Sequence, residues 1–247
     1  MLVKEAKKIT GSMTRTSKMP GLSYSLPAWE CQVGAKLRKV KGSVCAGCYA
    51  LKGNYTRYPD IKKAQYYRLQ SLRDPQWIPA MVAQIKRQKY FRWHDAGDLQ
   101  GVWHLKNIME VCKLTPSVKH WLPTREVKYT SLMDPAIVPT NLKIIISDHM
   151  IDQQSSVKHW PYTSGVSTKS ATYHCPAFRT DKRGTVHSLE AFKGFTKKQK
   201  KKLDLVQCGS CCPDWEPGRS RRAAWSRLTY TASSSPALPD QSYGRRL

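Results

Sequence analysis

Apolar and polar positions along the chain alternate between two periods. DIKKAQYYRLQSL, from Asp60 to Leu72, spaces its apolar residues at helical intervals, with Asp60 placed to cap the helix after Pro59. A second helix is predicted from about Pro75 to Lys89, with Asp74 as its cap and Pro75 at its first position, and Pro79 delaying its regular part. Tyr90 to His94 reads as a strand and Asp95-Ala96-Gly97-Asp98 as a turn, followed by a helix from about Val102 to Leu114. Val118 to Leu122 is the next strand, ending in Pro123-Thr124-Arg125-Glu126. NLKIII, Asn141 to Ile146, is the clearest strand and ends in Ser147-Asp148-His149, a third strand-end cluster. Strand, turn and helix thus recur in the order of parallel βα units, an α/β class in which polar residues at the C-terminal strand ends line the site.

Outside this region the pattern weakens. Residues 1–20 are basic and rich in Ser and Thr, and read as a flexible arm. Leu22 to Tyr49 holds short extended pieces around a basic loop, KLRKVKG. Residues 21–165 form the barrel-like α/β domain. Residues 166–230 form a basic, Cys-containing extension with a TKKQKKK run from Thr196 to Lys202, and 231–247 a disordered tail. No internal repeat is visible.

Charge adds a partner class. Lys and Arg number 42 against 17 Asp and Glu, a formal net charge of +25, which points to a polyanion such as nucleic acid or leaves a solvated surface. The lysine run near 200 and Arg219 to Arg222 suit phosphate, while Trp215 and Trp225 read as packing residues. No apolar run of about 18 residues exists, and the N-terminus lacks a signal-peptide core, so no membrane partner and a soluble, cytoplasmic protein are expected.

In such a compartment the eight cysteines stay reduced, and reduced clustered cysteines point to metal. Thirteen residues separate Cys31 from Cys45, and two separate Cys45 from Cys48, with Gly47 easing the turn that brings the pair together. Three thiolates from one segment leave a coordination position for a fourth protein ligand or a small molecule. Cys175, Cys208, Cys211 and Cys212, with His174 beside them, either form a second site or complete the first; a zinc ribbon would draw on Cys208 and Cys211. Cys112, between Val111 and Leu114, reads as core. At the strand ends, Asp95 and Asp98 can accept hydrogen bonds from an ammonium or ribose, His94 can do acid–base work, and Arg125 can clamp a carboxylate or phosphate. A capped helix start and a surface ion pair are the plainer readings of those groups.

Several segments in one order, SYSLPA, KGSVCAGCYALKGNY, FRWHDAGDLQ, HWLPTRE and HCPA, resemble the phage family called gene product 88 over roughly residues 18 to 215. The layout is also similar to a phage group of radical S-adenosylmethionine type, in which CxxCYA is followed by strands ending in Gly-Asp, then Thr with a basic residue, then Ser. The matching positions are Cys48-Tyr49-Ala50, Gly97-Asp98, Thr124-Arg125 and Ser147. The usual cluster motif of that group is C-x3-C-x2-C, against a thirteen-residue first gap here, and Asp214 stands where its C-terminal motif has a third cysteine. The resemblance implies a partial or complete parallel (β/α) barrel of radical S-adenosylmethionine type, with a [4Fe–4S] cluster on Cys31, Cys45 and Cys48. Its open iron would bind S-adenosylmethionine, and reduction would yield a 5′-deoxyadenosyl radical. Gly97, Asp98, Thr124, Ser147 and Tyr49 would then bind the cofactor, and Asp98, Arg125 and His94 would carry the chemistry, on a nucleic acid or other anionic substrate. The competing expectation is a non-enzymatic protein, stabilised by zinc or a cluster, that binds nucleic acid or a host factor.

Overall fold

A computed structural model of the chain describes residues 1–15, 21–131, 133–153, 160–166 and 196. Its seven helices among those residues are α1 (Val3–Thr10), α2 (Gln32–Leu37), α3 (Asn54–Arg57), α4 (Pro59–Ser71), α5 (Trp77–Ile85), α6 (Val102–Lys113) and α7 (Val127–Thr130). Six strands, β1 (Thr14–Arg15), β2 (Leu22–Tyr24), β3 (Tyr90–Trp93), β4 (Lys119–Thr124), β5 (Leu142–Ile151) and β6 (Thr163–Val166), form one sheet in sequence order. β1 runs antiparallel to β2, and every later pairing is parallel. The class is therefore mixed α/β with a mostly parallel sheet. Among the described residues β1 and β6 are its edges, so closure into a barrel is not seen.

The register explains the layers. Phe91 pairs with His120, and Leu122 with Ile144, which puts buried side chains from neighbouring strands on one face. α6 covers that face with Leu105, Ile108, Met109 and Cys112, so Cys112 is a packing residue as expected. Trp93 is the centre: its ring lies 4.9 Å from Phe91, 6.1 Å from Trp77 of α5, and stacks on His120 at 6.0 Å. Such aromatic pairs add about 0.5–1.5 kcal/mol each beyond area burial. The other face carries Arg92, Trp121 and Lys143 in cross-strand register, with the Arg92 guanidinium 4.7 Å from the Trp121 ring. No helix among the described residues is long and apolar enough to cross a membrane.

Three sequence expectations need correction. Residues 3–10 are not a loose arm but α1, whose Thr10 carbonyl accepts from the buried Tyr24 hydroxyl at 2.8 Å and whose Thr10 hydroxyl accepts from Gln84 at 2.7 Å. Arg68 completes the anchor by donating to the Ser12 carbonyl at 2.9 Å. The KLRKVKG insert is not all loop, since Lys36 and Leu37 end α2. α5 starts at Trp77 rather than 75, because the Asp74 carboxylate accepts from the Gln76 amide at 2.7 Å in a local turn, and Pro79 falls in the first helical turn, where no amide is needed. The expectations for 167–195 and 197–247, including Cys175, Cys208, Cys211 and Cys212, lie outside the described residues.

Buried imidazoles give the core a pH response. Burial pushes His120 down to about 4 and His104 down to about 3, from the ordinary 6.5. The unfolded chain therefore takes up these protons first, and stability present above pH 6.5 is lost as pH falls towards 4, by about 1.4 kcal/mol per pH unit per group. Burial raises Asp98 and Glu126, which act in the opposite sense, so the comparison must be made against a variant. His120→Gln is expected to flatten the plot of urea-unfolding free energy against pH between 6.5 and 4.5 by about one proton; an unchanged slope would mean that His120 titrates in the folded protein.

Candidate functional site

All the parallel strands deliver their C-terminal ends to one side of the sheet, and the loops that follow them meet there. After β2 the chain forms a 3-10 turn at Ala28–Glu30 and reaches Cys31, which stands at the N-terminus of α2. A second 3-10 turn, Val44–Gly47, holds Cys45 and is capped by the Ser43 hydroxyl, which accepts from the Ala46 amide at 3.0 Å. The Cys48 amide donates to the Cys45 carbonyl at 3.2 Å, so the pair shares one turn. This turn is fastened to the end of β5: Ser43 bridges Met150, and the Ile151 amide donates to the Gly42 carbonyl at 2.9 Å.

Gly34 shows how close the first two cysteines come. A Cβ built there would lie 3.7 Å from both the Cys31 and the Cys45 sulfur, and 2.9 Å from the Cys31 Cβ. A side chain at this position would thus touch both sulfurs and press on the Cys31 side chain. Burial pushes the Cys31 thiol well up, and the charges of Asp98, Cys48, Cys45 and Glu126 push it the same way. Burial also raises Cys45, opposed by Arg125. A cation or a cationic cluster core would relieve that crowding of acids.

Among the described residues no group of three or more His, Cys, Asp or Glu is arranged to hold a single metal ion. A tetrahedral zinc site needs ligand sulfurs about 2.3 Å from one ion and therefore within roughly 4 Å of each other. A cubane cluster binds each thiolate at a separate iron and lets the sulfurs stand farther apart, and the donor set of thiols alone is the one that such clusters use. Three thiols are a donor set that both a zinc site and an iron–sulfur cluster use.

The other strand ends form a hydrogen-bonded frame around the loop. Asp98, 7 % exposed, accepts at Oδ1 from the Thr124 hydroxyl at 2.6 Å and its neighbour Leu99's amide at 2.8 Å, and at Oδ2 from the Arg125 amide at 2.8 Å. Burial raises its carboxyl, and these three donors oppose the rise. Thr124 Oγ1 accepts from the Glu126 amide at 3.0 Å, and Glu126 Oε1 accepts from the Val33 amide, in the first turn after Cys31, at 2.7 Å. Arg125 donates from Nε to the Asp148 carbonyl at 3.1 Å, and its own carbonyl meets His149 Nε2 at 2.8 Å. Gly97 is required where it stands: its φ is +79°, and a Cβ would lie 2.6 Å from that of Leu26.

The predicted site residues thus divide. Cys31, Cys45, Cys48, Gly97, Asp98 and Arg125 lie in the loops at the C-terminal strand ends, and Thr124 is the last residue of β4. Tyr49 is 59 % exposed and its hydroxyl donates to the Asp95 carbonyl, while the Tyr55 hydroxyl reaches Asp95 Oδ2 at 3.0 Å. Ser147 is not at a strand end as expected but inside β5, which pairing with β6 carries on to Ile151, and its hydroxyl is within hydrogen-bond distance of that of Ser164 at 3.0 Å. The His94 ring is buried 5.2 Å from that of His104, neither nitrogen has a hydrogen-bond partner among the described residues, and burial pushes its pKa well down. Neither Gly34 nor the Glu126 carboxylate, whose Oε2 is buried with no hydrogen-bond partner among the described residues, is given a role by the sequence. A glycine inside a short helix between two cysteines was the signal for the first.

No curated protein and no solved structure matches the chain. The family model for Gene product 88 matches residues 1–215, most of the 247, and the chain therefore belongs to the Gene product 88 family.

Proposed function

We propose that the chain is an iron–sulfur protein in which Cys31, Cys45 and Cys48 hold a [4Fe–4S] cluster, and that it cleaves S-adenosylmethionine reductively at the C-terminal mouth of a partial parallel barrel. The observation that carries this reading is that the Cys31 and Cys45 sulfurs both come up against Gly34, at the end of the sheet where parallel βα folds assemble their sites. When bound, the cluster supplies the electron for that cleavage and an iron open to the cofactor's amino and carboxylate groups. The chain's own residues position the loop. Glu126 fixes the turn after Cys31, Ser43 caps the turn of Cys45, and the Arg125 charge favours the Cys45 thiolate. Asp98 is a positioning residue, since both its oxygens are engaged by the chain itself. The formal charge of +25 favours an anionic substrate.

A second reading, a non-catalytic protein stabilised by a cluster or zinc that binds nucleic acid or a host factor, is favoured by that same engagement of Asp98. The carboxylate expected to receive the cofactor already accepts three hydrogen bonds from the chain.

Gly34→Ala separates metal binding from folding. Alanine is the better helix former by about 1 kcal/mol, but its Cβ intrudes on the cysteine pair. We expect reconstituted iron and sulfide per chain to fall by half or more while the far-ultraviolet circular dichroism is kept; full loading would show that the contact is incidental.

Anaerobic incubation of the reconstituted protein with dithionite and S-adenosylmethionine, followed by chromatography, should yield 5′-deoxyadenosine, and Cys45→Ala should abolish it. A loaded cluster that makes none would favour the non-catalytic reading.

A further inference from the structure

The rim beside the cysteine loop carries charge and aromatic surface beyond what the fold uses. Residues 29–67 hold eight Lys and Arg against two acids, Glu30 and Asp60, which leaves six positive charges. Among the described residues none of the eight is ion-paired with an acidic side chain, and all but Arg38 are exposed. Unpaired cations carried on one short stretch of chain repel each other, which costs stability unless a polyanion neutralises them.

Aromatic rings are interleaved with these cations. Tyr49, Tyr58 and Tyr66 are 59 %, 48 % and 40 % exposed. Tyr66 packs 5.7 Å from the half-buried Trp29 ring, Lys62 stands 6.0 Å from that ring, and Arg38 donates to the Trp29 carbonyl at 3.4 Å. The Tyr66 hydroxyl donates at 3.1 Å to Glu30, the residue before Cys31, and Tyr49 follows Cys48 directly. Beyond Cys31, exposed Lys128 lies 4.7 Å from the Tyr129 ring, and the Tyr129 hydroxyl donates to Gln32 at 3.0 Å. Cations and rings therefore meet the residues that directly precede and follow Cys31.

Lysines alone would take any polyanion. Exposed rings among them select one whose bases are free to stack, because a duplex hides its base faces while a single strand offers them at every step. We propose that this rim binds single-stranded nucleic acid, its phosphates on the lysines and its bases on Trp29, Tyr66 and Tyr58, and leads the strand past the cysteine loop. That the strand is also what the site acts on rests on the reading above; the binding itself needs no cluster.

The test is fluorescence anisotropy of the full chain with a labelled single strand of mixed sequence, as DNA and as RNA, and with the matching duplex, over a range of salt. The single strand should bind at least about tenfold tighter than the duplex at equal salt. Replacing Lys36, Lys39, Lys52 and Lys62 with Ala should reduce the slope of log affinity against log salt by about 3, at about 0.7 per phosphate. Trp29→Leu with Tyr66→Leu should weaken the single strand by about 5- to 150-fold per lost stack and leave the duplex unchanged. The lysine variant changes exposed side chains only, so it decides the matter if the aromatic variant does not fold. Equal affinity for duplex and single strand overturns the proposal. So does wild-type binding by the rim variants with loss only when Lys197 to Lys202 are neutralised. Iron and sulfide are measured on the same preparations. Single-strand binding by a chain that takes up no cluster would overturn the iron–sulfur reading alone, and a loaded cluster with no single-strand preference would overturn this one alone.

Discussion

A buried carboxylate with three donors organises the candidate site. Asp98 stands past the end of β3 and takes the hydroxyl of Thr124, the amide of Arg125 and the amide of Leu99. Each bond to a charged group contributes about 1.5–3 kcal/mol net, and losing the acceptor would strand buried donors. From this point the contacts run outward: Thr124 orients Glu126, Glu126 holds the turn after Cys31, and Arg125 ties β4 to the end of β5. The loop of Cys45 is fastened to that same strand end. The separation of the cysteines is therefore set by the sheet, through one carboxylate and the strand ends it joins.

The frame also explains why the mouth tolerates so many acids. Asp98 and Glu126 both lie close enough to raise the Cys31 thiol, an arrangement that costs stability in the thiolate form unless positive charge is present. Arg125 supplies part of it beside Cys45, and a bound cluster would supply the rest. The basic rim extends the same logic outward, with positive charge around the mouth and little of it inside.

Much of this was legible in the sequence, for physical reasons. β3, β4 and β5 announced themselves through aromatic and β-branched runs between turn residues, and the polar residues at their ends, Gly97-Asp98 and Thr124-Arg125, do meet. α1 was missed because its buried face is only Ala6 and Thr10, and its fastening depends on Tyr24, Gln84 and Arg68, which are distant in sequence. β6 was missed because Thr163-Ser164-Gly165-Val166 has no apolar run. His94 and Asp98 were identified as chemically able groups, but sequence cannot tell which groups the fold will bury or saturate. The Glu126 carboxylate shows the converse, a residue within a recognised cluster whose partner, Val33, lies in another loop.

The central claim is that three cysteines hold a cluster with one iron open. Mössbauer spectroscopy of protein reconstituted with ⁵⁷Fe, before and after S-adenosylmethionine is added, tests it most directly. The account predicts a [4Fe–4S] signal of which about a quarter, the iron without a thiolate, changes on addition of the cofactor. A cluster whose irons are all indifferent to the cofactor, or a folded chain that binds zinc and no iron, would contradict it.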